Sequence, residues 1–267
     1  MGTVKSKDGT TIAFDTWGDG QPLIMIDGAT AYRGVNPLNA QVGELLSDEF
    51  RVYAYDRRGR GDSTDTAPYA VQREIEDLAA LIDHAGAPAI VFGWSSGAVL
   101  ALDAAAAGLP ITRLALFEPP FVVDDSRPPL PADDVPQLDA HIADGHPGDA
   151  AALFMTAAAG VPDEHVAGMR QAPFWPTLEA IAHTIAYDGR IMGTTMSGNP
   201  LPDDRWAAIT IPILVMHGND TTPALISGAR AAADHLPTAT LRAVPGEQHS
   251  TTPDVLAPAL RQFAHDH

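Results

Sequence analysis

A chain of 267 residues, 45% hydrophobic and with a formal charge of −18, can bury a sizeable core behind a surface that repels nucleic acid and anionic membranes. It has no cysteine, which excludes disulfides, zinc–thiolate sites and a thiol nucleophile. No apolar run approaches ~20 residues and the N-terminus lacks a signal-type apolar stretch, so a soluble, cytoplasmic protein without membrane contact is expected.

Residues 3–6 and 10–17 read as strands around the Asp8-Gly9 turn. Pro22 to Ile26 is a short apolar run of the kind that a strand buried on both faces requires. It ends in Asp27-Gly28-Ala29. Residues 37–48 predict a helix and 51–55 another strand, followed by the polar, glycine-rich loop 56–63. Over 70–84, Val71, Ile75, Leu78, Ala79 and Ile82 recur at three- and four-residue spacing, which predicts a helix.

Residues 89–107 hold the most informative pattern. The run Ala89-Ile90-Val91-Phe92 predicts a buried strand, and Ala98 to Ala107 a helix that stops at Gly108 and Pro110. Between them stands G-x-S-x-G, at Gly93, Ser95 and Gly97. A serine at so sharp a strand-to-helix turn is held in a strained conformation with its hydroxyl above the sheet. The following helix aims free amide hydrogens and its positive end at the same point. The glycine spacing selects Ser95 over Ser96 as a nucleophile. A simple connecting turn is the alternative.

Ile111 to Phe117 predicts a further strand, followed by Glu118-Pro119-Pro120. From 121 to 206 the chain is rich in Pro, Asp and Ala, with helical patterns near 133–144, 147–159, 162–170 and 176–188. Strand 213–217, helix 223–235, strand 240–244 and helix 253–265 complete it. This alternation predicts an α/β fold, with a mostly parallel central sheet and helices on both faces. The insertion should sit above the C-terminal strand ends, where such sheets bind ligands.

His249, in the loop after strand 240–244, is placed to act as general base on Ser95. A surface histidine is the alternative, and His217 ranks lower because it ends a strand and could simply pack. Asp124-Asp125 and Asp133-Asp134 read as solvated turns rather than metal ligands. No glycine-rich phosphate loop or arginine cluster marks a nucleotide or coenzyme A site, so no cofactor is expected.

Taken together, Asp27-Gly28-Ala29, the loop Tyr55 to Ser63, the turn at Ser95, His217-Gly218-Asn219-Asp220 and the His249 loop resemble the α/β-hydrolase family over nearly the whole chain. The resemblance implies an α/β-hydrolase fold, with a core of residues 1–120 and 207–267 and a helical cap, residues 121–206, inserted after the sixth strand. It also implies an oxyanion hole made by the backbone N–H groups of Ser96 and Ala29. Asp27 stands where the family usually has histidine, which leaves that backbone role intact. The charged loop 57–63 resembles a fold-stabilising turn of the family.

Two carboxylates compete to orient His249. The usual position in the family points to Asp220, although the loop 218–223 is a residue shorter than the common pattern. Branches such as haloalkane dehalogenases and zearalenone-type lactone hydrolases take the acid from the strand end where Glu118 stands, and the lean here is to Glu118. Asp220 could instead serve the helix that starts just beyond it, and Glu118 could pair with an arginine.

Serine rather than aspartate at position 95 points to acyl transfer to water. Tyr32, Trp94, Phe121, Phe154, Trp175 and Tyr187 are candidates to line a pocket for a medium-sized, mainly apolar ester or lactone. The competing readings are other chemistry on the same fold (carbon–carbon bond hydrolysis, a cofactor-free perhydrolase or haloperoxidase, or a lyase) and a non-catalytic ligand receptor.

Overall fold

The computed structural model describes residues 1–266. The strands are β1 (Gly2–Lys5), β2 (Thr11–Trp17), β3 (Gln21–Ile26), β4 (Phe50–Tyr55), β5 (Ala89–Trp94), β6 (Ile111–Phe117), β7 (Ile213–Asp220) and β8 (Ala239–Glu247). They form one sheet in the order β1-β2-β4-β3-β5-β6-β7-β8. Only the pairings of β2 with β1 and β4 are antiparallel. All the other pairs are parallel, as strand–helix–strand crossovers demand.

Helices α1 (Leu38–Leu46), α2 (Val71–Ala85) and α3 (Ser96–Ala106) connect the first strands. Between β6 and β7 lie α4 (Asp134–Ala143), α5 (Pro147–Leu153), α6 (Asp163–Met169), α7 (Trp175–Ala180) and α8 (Ile185–Met192). α9 (Pro223–His235) and α10 (Pro253–His265) close the chain. Two predicted helices are less regular than expected. α5 runs on into a π-helical turn over Phe154–Ala158, and the 176–188 pattern breaks at Ala182–Thr184 into a 3-10 turn before α8.

The sheet is buried on both faces, which explains the apolar runs. In β3, Ile24 and Ile26 face one cluster, with Leu78, Leu81, Val99 and Leu102 from α2 and α3. Leu23 and Met25 face the other, with Val42 and Leu46 of α1 and Leu256, Leu260 and Phe263 of α10. Each such side chain taken fully out of water contributes about 1.5–3 kcal/mol before entropy is counted. A third cluster, including Leu138, Val166, Trp175 and Ile185, belongs to the helices between β6 and β7.

The connectivity places the site. From β3 the chain goes to β4 on one side, whereas β5 pairs on the other. The crevice at the C-terminal ends of β3 and β5 is therefore a switch point, the position where open α/β sheets receive ligands. Asp27-Gly28-Ala29 leaves β3 there and Ser95 leaves β5 beside it. No helix of the described residues is long and apolar enough to cross a membrane.

Candidate active site

Ser95 stands between the last residue of β5 and the first of α3, with φ 56° and ψ −124°. That backbone is costly for a residue with a Cβ and persists only where its surroundings impose it. Here they do. Its N–H donates to the Phe117 carbonyl of β6 at 2.9 Å. A Cβ on Gly93 would come within 2.4 Å of the Gly97 carbonyl oxygen, and one on Gly97 within 2.6 Å of that of Ile26. Both motif glycines are thus required by close backbone approach rather than by chain flexibility.

Glu118 immediately follows β6, fully buried and with φ 46°. Its Oε1 accepts the Gly218 N–H at 2.8 Å and its Oε2 lies 2.5 Å from Nδ1 of His249. His249 sits at the tip of a tight turn after β8, where Glu247 and Ser250 exchange two backbone hydrogen bonds. Its backbone is left-handed, with φ 65°, and its N–H donates to Thr221 Oγ1 at 3.3 Å. The imidazole is partly exposed, and its ring centre is 6.1 Å from that of Trp94, the neighbour of Ser95. Glu118 and His249 therefore meet at the sheet end that carries Ser95.

Asp220 is not part of this arrangement. It extends β7 opposite Glu247 and is exposed. It does not cap the next helix either, because Thr222 accepts the Leu225 N–H there. His217 is buried, with Nδ1 at 2.9 Å from the Gly218 carbonyl.

Ala29 and Ser96 flank the crevice from β3 and from α3. Ser96 is the first residue of α3, where backbone N–H groups have no partner within the helix. Asp27 is fully buried. Its Oδ1 accepts from Asn36 and Asn39 at 2.7 and 2.9 Å, and its Oδ2 has no hydrogen-bond partner among the described residues. Burial pushes its carboxyl up to about 6, against the pull of the two amides.

The three arginines of the loop after β4 are buried and paired. Arg57 makes a fork with Glu74 and also reaches Asp188. Arg58 pairs with Asp77 and Asp8. Arg60 pairs with Asp188 and donates to the Gly28 carbonyl at 2.7 Å. Asp188 on α8 also accepts the Ser96 hydroxyl at 2.7 Å. Burial opposes its charge, but Arg57 and Arg60 outweigh that and hold its carboxyl below the ordinary range. Asp188 and Thr221 carried no motif and escaped the sequence reading. Only the unusual density of arginine in 57–60 hinted that buried acids must exist elsewhere.

Several aromatic residues expected to line a pocket are placed by their packing. Phe121 stacks on Trp206 at 5.5 Å in the core. Trp175 is buried among the inserted helices, and Phe154 packs against the same cluster. Tyr187 stacks on Tyr69 at 3.7 Å and donates its hydroxyl to Asp65. Tyr32 and Trp94 are partly buried, Tyr32 on the loop after β3 and Trp94 against Phe117 at 4.3 Å. Among the described residues, no group of three or more His, Asp or Glu is arranged to hold a metal ion.

Comparison with known proteins agrees with this architecture. Residues 25–259 match the model of the Alpha/beta hydrolase family. An alpha/beta hydrolase from Sphaerobacter thermophilus DSM 20745 is 51% identical, with a TM-score of 0.88 over 98% of this chain and 100% of that one. A non-heme chloroperoxidase from Streptomyces lividans is 29% identical over 98% of this chain and 99% of its own length. The enol-lactonase from Burkholderia xenovorans LB400 shares the fold at a TM-score of 0.71 and 20% identity, over 99% of this chain and 100% of that one.

Proposed function

The chain belongs to the alpha/beta hydrolase family and is a hydrolase, and from that premise we propose that it cleaves a medium-sized, mainly apolar carboxylic ester or lactone by an acyl-enzyme route. Ser95 is the nucleophile, His249 the general base and Glu118 the acid that orients it. The observation that carries the reading is the 2.5 Å approach of Glu118 Oε2 to His249 Nδ1, at the sheet end where Ser95 is held at φ 56°.

The chemistry follows from this placement. With Nδ1–H donated to Glu118, Nε2 of His249 is left to accept the Ser95 proton. Oγ attacks the carbonyl carbon, and the resulting oxyanion is held by the N–H groups of Ser96 and Ala29. Collapse expels the alcohol, which takes the proton back from His249. Water, deprotonated by the same imidazole, then cleaves the acyl-enzyme. Glu118 keeps its charge throughout and stabilises the imidazolium. Residues 121–206 act as the cap over the site, with Trp94 and Tyr32 supplying apolar wall. The formal charge of −18 favours a neutral small-molecule substrate, met in the cytoplasm, over nucleic acid or membrane.

A second reading replaces water by hydrogen peroxide as acyl acceptor, so that the acyl-enzyme yields a peracid. The full-length likeness to the non-heme chloroperoxidase favours it.

A fluorophosphonate probe should label Ser95 covalently, and Ser95→Ala should abolish both labelling and turnover of p-nitrophenyl esters. A folded native protein that neither labels nor turns over any ester or lactone would overturn the hydrolytic reading. Assay of a carboxylic acid with added peroxide separates the two acceptors.

A further inference from the structure

Resting on the reading of Ser95 as nucleophile and of Ala29 and Ser96 as oxyanion donors, we propose that Asp188, on α8 of the insertion, is the positioning residue that sets both donors of the oxyanion hole.

Asp188 is 3% exposed and bears on both halves of the hole, on one by direct contact with Ser96 and on the other through Arg60. Its Oδ1 accepts the Ser96 hydroxyl at 2.7 Å and Arg57 Nη1 at 2.6 Å. The first contact restrains the residue whose backbone N–H is one donor. Its Oδ2 accepts from Arg60 Nη2. Arg60 carries the effect to the other donor, because its Nη1 grips the Gly28 carbonyl at 2.7 Å and the Ala31 carbonyl at 3.3 Å. The Gly28 carbonyl and the Ala29 N–H belong to one planar peptide unit. In a trans peptide these two groups point in opposite directions. Holding the oxygen therefore aims the hydrogen.

Asp188 is the only carboxylate paired with Arg60 among the described residues. The remaining partners of that guanidinium are neutral: the two carbonyls and Thr184 Oγ1, which accepts from Nε at 3.0 Å. Arg57 differs, since it has Glu74 as well. Thr184 and Asp188 both come from the insertion, so docking of α8 and the turn before it completes the donor geometry. Arg58 is an equally buried arginine, bonded to Asp77, Asp8 and the Arg73 carbonyl, with no hydrogen bond to Gly28, Ala31 or Ser96. It serves as the internal control.

The test compares native protein with Asp188→Asn, Ser96→Ala and Arg58→Met. Active sites are titrated with a fluorophosphonate, kcat and KM are measured per titrated site on a p-nitrophenyl ester, and affinity is measured for an arylboronic acid that forms a tetrahedral adduct. Asp188→Asn should lower kcat per site by about 10- to 100-fold with KM changed less than about threefold, and should weaken boronate binding in step. Ser96→Ala, which removes one contact and strands no charge, should lower kcat by about 3- to 10-fold. Arg58→Met should lose stability and keep kcat per site.

Native kcat and boronate affinity in folded Asp188→Asn would overturn the proposal, as would a loss confined to KM. If Asp188→Asn does not fold, Ser96→Ala decides, and kcat within about twofold of native overturns it. A native protein that fails to label at Ser95 overturns the hydrolase reading and this inference together. Normal native activity with an indifferent Asp188→Asn overturns the inference alone.

Discussion

Nδ1 of His249 lies 2.5 Å from Oε2 of Glu118, across 131 residues of chain. The second oxygen of Glu118 accepts the Gly218 N–H at 2.8 Å, so the carboxylate is held at both ends and the imidazole is oriented by a fixed group. Asp220, at the exposed end of β7, has no hydrogen bond to the ring. Glu118→Gln should therefore lower kcat by roughly 10²- to 10⁴-fold, because an amide no longer favours the required tautomer or the imidazolium. Asp220→Asn should stay within about threefold of native. Steady-state kinetics on both variants, with circular dichroism to confirm folding, checks this, and the reverse ranking would refute it.

Gly28 lies directly against Ser95. A Cβ there would stand 2.8 Å from Ser95 Cβ and 3.1 Å from the Trp94 carbonyl oxygen. Gly28→Ala should push the turn after β3 away from Ser95 and lower kcat by roughly 10²-fold, the scale of loss from about 1 Å of misplacement. The far-UV spectrum should not change. Activity within about twofold of native would show that the crevice can widen at no cost.

Asp27 provides a pH test. Its carboxyl is pushed up to about 6 from an ordinary 3.8, first by burial. The folded state then holds a proton that the unfolded chain releases, so stability falls as pH climbs from about 4 to about 6 and stays lower above that. Asp27→Asn lacks this loss. It should match the native protein below pH 4 and exceed it above pH 6, by up to about 3 kcal/mol. Asp77, whose carboxyl is also raised to about 6 by burial, is present in both proteins and cancels in the comparison. Urea titrations across this range would reveal the opening gap, and a constant difference would contradict the assignment.

Arg58 makes the complementary case for stability without chemistry. Its guanidinium ties α2 through Asp77 to the turn between β1 and β2 through Asp8. Arg58→Met strands a buried carboxylate and should destabilise by roughly 3–5 kcal/mol. Adding Asp77→Leu removes the stranded charge and should recover much of that loss. A double variant no more stable than the single one would mean that packing, not charge, dominates at this site.

Much of this protein was legible along the chain because its signals are local. The buried strands announce themselves as apolar runs, and α2 by three- and four-residue spacing. The G-x-S-x-G turn is marked by Gly93, Ser95 and Gly97 alone, although only the clash at Gly93 is local, with Gly97 and Ala98, whereas that at Gly97 is with the backbone of Ile26 and Asp27 at the end of β3. The arginine-rich loop could be read as structural, but not where its acids would come from. Glu74 and Asp77 lie on α2, on the same buried side as Ile75 and Leu78, so helical periodicity alone gives no reason to expect charges there.

Sequence by itself determined the alternation of strands and helices and the sharp turn at Ser95, because short-range sterics and hydrophobic period govern them. Tertiary structure alone brought Glu118, and not Asp220, against His249, and alone brought Asp188 to Ser96 and Arg60. Those choices depend on which strand ends lie side by side and where an inserted helix docks. No run of residues encodes a contact made across about a hundred positions until the sheet register and the core packing have closed it.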